Sequence, residues 1–218
     1  MPEAILDELK RIIGDRTENR DAFFRRIYRH YPERSPEYRI VLRAYNIGKD
    51  GFRDQVRKDG QTRSFEHARG AALILMDYLG IFTAWMIAAL LLHDVVEDLN
   101  QYTLDRLYEE FREFGDDAIR MIEMLERMTK PSKKDGYSEE EAEDIYHEWF
   151  KSAPRVFFIF KLCDRIYNLL TIESLDADKQ REMVEETKIH YLPYAREHGI
   201  LYRETLEAVG EIEKRLAA

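Results

Sequence analysis

Apolar residues recur along this chain at intervals of three and four, the spacing of one face of an α-helix. Ile5, Leu6, Leu9, Ile12 and Ile13 open one amphipathic helix, Phe23, Phe24, Ile27 and Tyr28 begin a second, and Tyr38, Ile40, Val41, Ala44 and Tyr45 suit a third. From Lys49 to Arg63 the text is polar and punctuated by glycine, which predicts a loop holding a short helix. Ser64 is placed to cap the next helix, which runs to about Leu79, and Thr83 the one after it. The body of the latter, AWMIAALLLHDVV, is apolar on all sides and belongs at the centre of a fold. Thr103 opens a helix with Leu104, Leu107, Tyr108 and Phe111 on one face. Gly115 ends it, and Asp116 can cap a helix carrying Ile119, Ile122, Leu125 and Met128. KPSKKDGYS (130–138) reads as the clearest long loop, and helices resume over 138–151, 153–173, 178–198 and 200–216. No strand alternation of useful length occurs, nor any internal repeat or low-complexity linker. The expectation is an all-α single domain over 1–218, with 1–35 an added helical layer.

Composition narrows the class. In 218 residues, 44% are apolar and 35% charged, which suits a globular chain with a core and a heavily charged surface. Ten glycines and six prolines are few, as long helices require. The net charge of −9 argues against a nucleic-acid or membrane-surface binder, but leaves room for a small anionic ligand whose site sets its own local field. One cysteine, Cys163, permits neither an internal disulfide nor a cysteine zinc cluster. The charge-free run from Tyr78 to Leu92 is shorter than the roughly 18–20 residues of a membrane span. MPEAILDELK lacks the basic start and apolar core of a secretory signal, so the cytoplasm is the expected compartment.

Three apolar helices carry residues that a core does not explain. LLLHDVVED sets His93 and Glu97, and Asp94 and Asp98, four apart at the end of an apolar run. RVFFIFKLCDRIYNLL holds Lys161, Asp164, Arg165 and Asn168; Lys161, Asp164, Asn168 and Thr171 follow a 3-4-3 spacing and form one polar stripe. SFEHARGAALIL places His67 near the start of a helix whose remainder is core. Each segment alone admits a plain structural reading: a helix end reaching water, an Asp–Arg bridge, a capping histidine. Together they supply two imidazoles and two carboxylates from three helices, a donor set suited to Mn²⁺, Fe²⁺, Zn²⁺ or Mg²⁺ with room for water and substrate. His30, His147, His190 and His198 show no such spacing and are read as structural or surface groups.

The order His, His-Asp, Asp is the signature of the HD superfamily of metal-dependent phosphohydrolases, and the flanking text is more specific. ALLLHDVVED and KLCDRIYNLLT closely resemble the hydrolase domain of RelA/SpoT-type alarmone enzymes. Phe114-Gly115, Thr129-Lys130, the run from Tyr191 to Ile200 and QVRKDG (55–60) are further matches, so the resemblance covers roughly 40–200. It implies an HD-domain helical fold and a stand-alone small alarmone hydrolase removing the 3′-diphosphate of a guanosine or adenosine alarmone. It implies Mn²⁺ on His67, His93, Asp94 and Asp164, and Glu97 and Asp98 as the pair that handles the attacking water. It places Arg57 and Lys58 near the base and diphosphate, and Asn168, Thr171 and Tyr191 in the nucleotide site. Lys161, Arg63 and Arg69 are further candidates for phosphate. Ala68 stands where the family usually has proline, and RKDGQTRSFEH lacks its Glu-Pro-Tyr, both beside the base-recognition loop. Two rivals use the same residues: another HD-type nucleotide phosphohydrolase, such as a 5′-nucleotidase or an NADPH phosphatase, and a catalytically silent alarmone-binding protein.

Overall fold

The computed structural model describes residues 5–15, 18–57, 60, 63–131 and 136–217. Among them the chain is all helix and loop, with one isolated antiparallel bridge between Val56 and Arg63. The centre is α5 (Ala84–Leu92), eight of whose nine residues are buried, as its uniformly apolar sequence requires. Around it pack α3 (Pro36–Gly51), α4 (Ser64–Leu73) and α8 (Asp116–Met128). The second apolar helix, α10 (Arg155–Leu170), lies against α4 and α8.

Two glycines let these helices approach. A Cβ on Gly48 would lie 2.7 Å from the Phe65 ring and 2.8 Å from the Leu91 carbonyl, so α3 touches both α4 and α5 there. A Cβ on Gly70 would lie 2.5 Å from Cδ2 of Tyr167, so the α4–α10 crossing is closed over bare backbone. His67 and Asp164 stand one turn from this contact.

The N-terminal helix α1 (Ile5–Gly14) packs on α4, on the segment that continues it, and on α13 (Tyr202–Ala217). The second helix, α2 (Arg20–His30), buries Phe23, Phe24 and Ile27 but leaves Tyr28 60% exposed. Tyr108 and Ile119, expected on apolar faces, are also exposed; the buried contacts of their helices are made by Leu107 and Phe111, and by Ala118 and Met121.

Helix ends differ from expectation in instructive ways. Thr103 caps α7 (Leu104–Phe111) by accepting the Arg106 N–H at 3.1 Å, and Ser138 forms a reciprocal capping box with Glu141 at the start of α9 (Glu139–Phe150). Ser64 and Asp116 do not cap, because each is already the first helical residue; Arg63 and Gly115 hold the cap positions. Thr83 holds its cap position without a side-chain hydrogen bond. The polar stretch after Lys49 starts later than expected, since α3 continues to Gly51, and its described part forms turns rather than a short helix.

The expected helix 178–198 is one rod of three parts: α11 (Ala177–Glu186), a wide π-helical turn (Thr187–Tyr191) and α12 (Leu192–His198). Pro193 accounts for the wide turn. It lacks an N–H and its ring would strike the carbonyl four residues back, so the helix widens just ahead of it. A second wide turn (Ile74–Tyr78) extends α4 to the chain reversal at Gly80.

Candidate metal centre and its cleft

The central helix does not run through the His-Asp doublet as its pattern suggested. α5 stops at Leu92, His93 and Asp94 form a turn, and one helical turn, α6 (Val95–Asp98), follows. This break aims both side chains at the α4–α10 crossing. Nε2 of His67 lies 3.1 Å from Nε2 of His93 and 3.0 Å from Oδ1 of Asp164. Nε2 of His93 lies 3.1 Å from Oδ1 of Asp94 and 3.8 Å from Asp164. The second Asp94 oxygen is 3.6 Å from His67. Four side chains from three separate helical segments therefore point donor atoms at one spot.

These residues fit a divalent cation. Both imidazoles are 4% exposed and face each other through nitrogen, so their inward lone pairs need a proton or a cation between them. Nδ1 of His93 is 2.7 Å from the Leu90 carbonyl, which can only accept, so that nitrogen carries the proton and Nε2 offers its lone pair inward. Among the described residues, buried Nδ1 of His67 has no hydrogen-bond partner. Burial opposes a charge on His93, yet Asp94, Asp164 and the Leu90 carbonyl outweigh it and raise its pKa to about 9. The carboxylates thus draw a proton to the place where a cation would sit. His67, His93 and Asp164 form a triad that could hold a metal ion, and the Asp94 carboxylate lies beside both histidines.

The polar stripe on α10 organises the surroundings. Asp164 divides its two oxygens: Oδ1 faces the histidines and accepts the Asn168 amide at 2.8 Å, while Oδ2 accepts from Lys161 at 3.3 Å. Asn168 in turn accepts from Arg57 at 2.8 Å, and the Arg57 guanidinium lies 5.7 Å from the Tyr167 ring centre. Burial works against charge on both Lys161 and Asp164, but their mutual attraction, the Tyr146 phenol beside Lys161 and the histidines beside Asp164 hold the lysine pKa up and the aspartate pKa down. Thr171, last in the stripe, turns its hydroxyl back to the Tyr167 carbonyl at 2.9 Å.

Two connected hollows meet at the donor cluster. One, of about 470 Å³, has Val56, Ile172, Leu175 and Met183 on its wall together with Gln55, Ser64, Thr171 and Ser174. The other, of about 310 Å³, is lined by His67, His93, Asp164, Lys130, Lys161, Arg165, Glu186 and Tyr191. Arg57, Asp94, Asp98 and Asn168 border both. Glu97 borders the second hollow, where Oε1 accepts the Lys130 backbone N–H at 2.8 Å. Protein crowding raises the pKa of Glu97 against the lowering effect of that N–H, and crowding plus the Asp94 charge raises that of Asp98, although both side chains reach solvent.

Of the residues singled out from sequence, His67, His93, Asp94, Asp164, Glu97, Asp98, Arg57, Lys161, Asn168, Thr171 and Tyr191 line this cleft. Lys58 lies outside the described residues. Arg63 and Arg69 do not join them: both pair with Glu66, and Arg69 lines a separate hollow behind Tyr167. The sequence reading missed the role of Arg165 and overlooked Glu186. The pair is joined through 3.0 and 2.9 Å contacts, with the guanidinium 3.8 Å from the Tyr191 ring centre. Arg165 stands off the 3-4-3 stripe, and Glu186 lies in a charge-rich stretch like any solvated face, so neither offered a signal. His147 and His190 stack at 3.7 Å, and Nε2 of His147 lies 3.4 Å from Glu186. Burial opposes charge on Glu186, but His147 and Arg165 bring its pKa down to about 2.

The chain is similar, 34% identical over 78% of its length, to the guanosine-3′,5′-bis(diphosphate) 3′-pyrophosphohydrolase of Aquifex aeolicus. It is 29% identical over 80% of its length to the bifunctional (p)ppGpp synthase/hydrolase SpoT of Escherichia coli. It spans only about a quarter of these relatives, 23% and 24% of their lengths. Among solved structures, a metazoan SpoT ortholog described as hydrolysing ppGpp superposes with a TM-score of 0.69 at 20% identity, covering 83% of this chain and 97% of that one, a likeness of fold. The HD domain profile matches residues 44–201, from within α3 to the start of α13, and takes in every element that borders the cleft: the chain belongs to the HD domain family.

Proposed function

We propose that this chain is a metal-dependent 3′-pyrophosphohydrolase of nucleotide alarmones, converting (p)ppGpp or (p)ppApp and water to the nucleoside 5′-di- or triphosphate and pyrophosphate. The observation that carries this reading is that Asp94 and Asp98 border two adjoining hollows, one with Val56, Ile172, Leu175 and Met183 on its wall and one that holds the other donors, Glu97 and the buried cations Lys161 and Arg165. A nucleoside suits the first and a diphosphate the second, which puts the bond between them beside Asp94 and Asp98. The names of the relatives point the same way.

His67, His93, Asp94 and Asp164 would hold the cation, for which we propose Mn²⁺. When bound, it supplies Lewis acidity toward water and the phosphoryl oxygens. Glu97 and Asp98 take a proton from the attacking water and return one to the departing 3′-oxygen. Burial raises both carboxyl pKa values, which makes each a better proton acceptor than a free carboxylate. The Lys130 N–H holds Glu97 in place. Arg57, fixed by Asn168, and Lys161 offset phosphate charge. Thr171 faces the nucleoside and Tyr191 floors the phosphate side. No described helix is long and apolar enough to cross a membrane, and we propose a cytoplasmic enzyme acting on a small nucleotide rather than on nucleic acid or lipid.

The test is pyrophosphate release by the Mn²⁺-loaded protein from ppGpp, ppApp, the same nucleotides without the 3′-diphosphate, NADPH and simple monophosphates. Release confined to the 3′-diphosphates supports the proposal. Turnover of NADPH or a monophosphate alone replaces it with another HD-type phosphohydrolase, and binding without turnover makes the chain a silent alarmone binder.

A further inference from the structure

The second hollow mixes charges of both signs. It holds two buried cations, Lys161 and Arg165, but they are engaged differently. Lys161 has one carboxylate contact, to the outer oxygen of Asp164 at 3.3 Å, and that aspartate also faces the donor cluster. A cation there would draw Asp164 charge toward itself and leave Lys161 short of a counter-ion, ready for phosphate. Arg165 donates from Nη1 to Oε2 of Glu186 at 3.0 Å, its Nη2 lies 2.9 Å from Oε1 as an ion pair, and Tyr191 covers one face of the guanidinium. A guanidinium is the strongest phosphate ligand a protein has, because its fork matches two phosphate oxygens. Here a carboxylate already lies against the fork, through one hydrogen bond and one ion-pair contact. Glu186 belongs to the last turn of α11, directly before the wide turn that delivers Tyr191, so one rod supplies both the carboxylate and the ring that hold Arg165.

We propose that Glu186 is a positioning residue that withholds Arg165 from the phosphates, so that the hollow grips the diphosphate through lysine and releases pyrophosphate readily. This rests on the pyrophosphohydrolase reading above. Glu186 touches no reacting atom; it acts through Arg165. A hollow with a free buried arginine beside a divalent cation would hold its trianionic product and turn over slowly.

The experiment is calorimetric binding of inorganic pyrophosphate to the Mn²⁺-loaded full chain, with steady-state kinetics in parallel. Glu186→Gln removes the competing charge while keeping shape. Pyrophosphate should bind it at least roughly tenfold more tightly, the size of a gained charged hydrogen-bond pair. kcat should fall and KM fall with it. Glu186→Asp, which restores the charge, should return most of the wild-type affinity. Arg165→Lys, tested on the wild-type background in case Glu186→Gln does not fold, should leave pyrophosphate affinity within about twofold, whereas Lys161→Met should weaken it roughly tenfold. Unchanged or weaker pyrophosphate binding in a folded Glu186→Gln, or a large loss in Arg165→Lys, overturns the proposal. If the wild type binds pyrophosphate but turns over no 3′-diphosphate, the functional reading fails instead, and the binding comparison still decides the role of Glu186.

Discussion

The closed crossing of α4 on α10 makes Gly70→Ala a sharp probe of how the site is built. The new methyl carbon would lie 2.5 Å from Cδ2 of Tyr167 and nearer still to Cε2, and a comfortable carbon–carbon contact is about 3.5 Å, so something must yield by more than about 1 Å. The Tyr167 ring cannot swing away. It is buried, packs edge-on to His67 at 4.9 Å and lies under Arg57. The helices themselves must part. Overpacking of this kind costs about 1–3 kcal/mol, of which alanine's better helix propensity returns about 1. Net loss of stability is thus modest. The donor cluster is less forgiving, because cation–ligand distances tolerate only about 0.2 Å. His67 rides on α4 and Asp164 on α10, so a 1 Å parting separates the two donors that now stand 3.0 Å apart. Manganese affinity should fall by at least about tenfold, while the metal-free melting temperature drops by no more than several degrees. Calorimetric titration with Mn²⁺ and thermal denaturation without it measure the two effects separately. Unaltered manganese affinity with a raised melting temperature would refute the claim that this crossing sets the donor geometry.

Other outcomes follow from the same contacts. His93→Ala and Asp94→Ala should lose both bound metal and turnover, whereas Glu97→Gln should keep the metal and lose turnover; metal analysis beside an activity assay separates the cases. Manganese affinity should rise with pH by about tenfold per unit up to about 9, because the cation must displace the proton that His93 holds. The sign follows from linkage: a raised imidazole pKa stabilises the metal-free fold below about pH 6.5, and that contribution is lost as pH climbs through 9, while cation binding gains over the same span. Ser138→Ala, which removes half of the capping box on α9, should cost about 1 kcal/mol in denaturant unfolding. No loss at all would mean that this helix end frays without consequence.

What was legible in the sequence was the contrast between greasy helices and the polar residues set into them. His67, the His93-Asp94 doublet and the Lys161–Thr171 stripe stand out because burial of such groups demands a reason. Their convergence followed from three central helices having to share one core. The break at His93-Asp94 was not legible, since those residues take near-helical angles and the apolar pattern continues to Val95. The failed caps at Ser64 and Asp116 show a one-residue ambiguity that only tertiary packing resolves. Pro193 lies inside the helix expected over 178–198, and the pattern around it did not show that a wide turn would precede it. Arg165 and Glu186 stayed hidden because their bond joins positions 21 residues apart, on elements whose juxtaposition no local spacing encodes.

The donors at 67, 93, 94 and 164 come together only after α4, α5 and α10 have docked. An extended chain offers a cation nothing better than one neighbouring His-Asp pair. Metal occupancy and the folded population are therefore linked: at a free concentration a hundred times Kd the cation adds about 2.7 kcal/mol to the folding equilibrium. The cellular supply of the metal would then govern the lifetime of this protein against proteases as much as its rate, and starvation for the ion would be felt first as falling abundance.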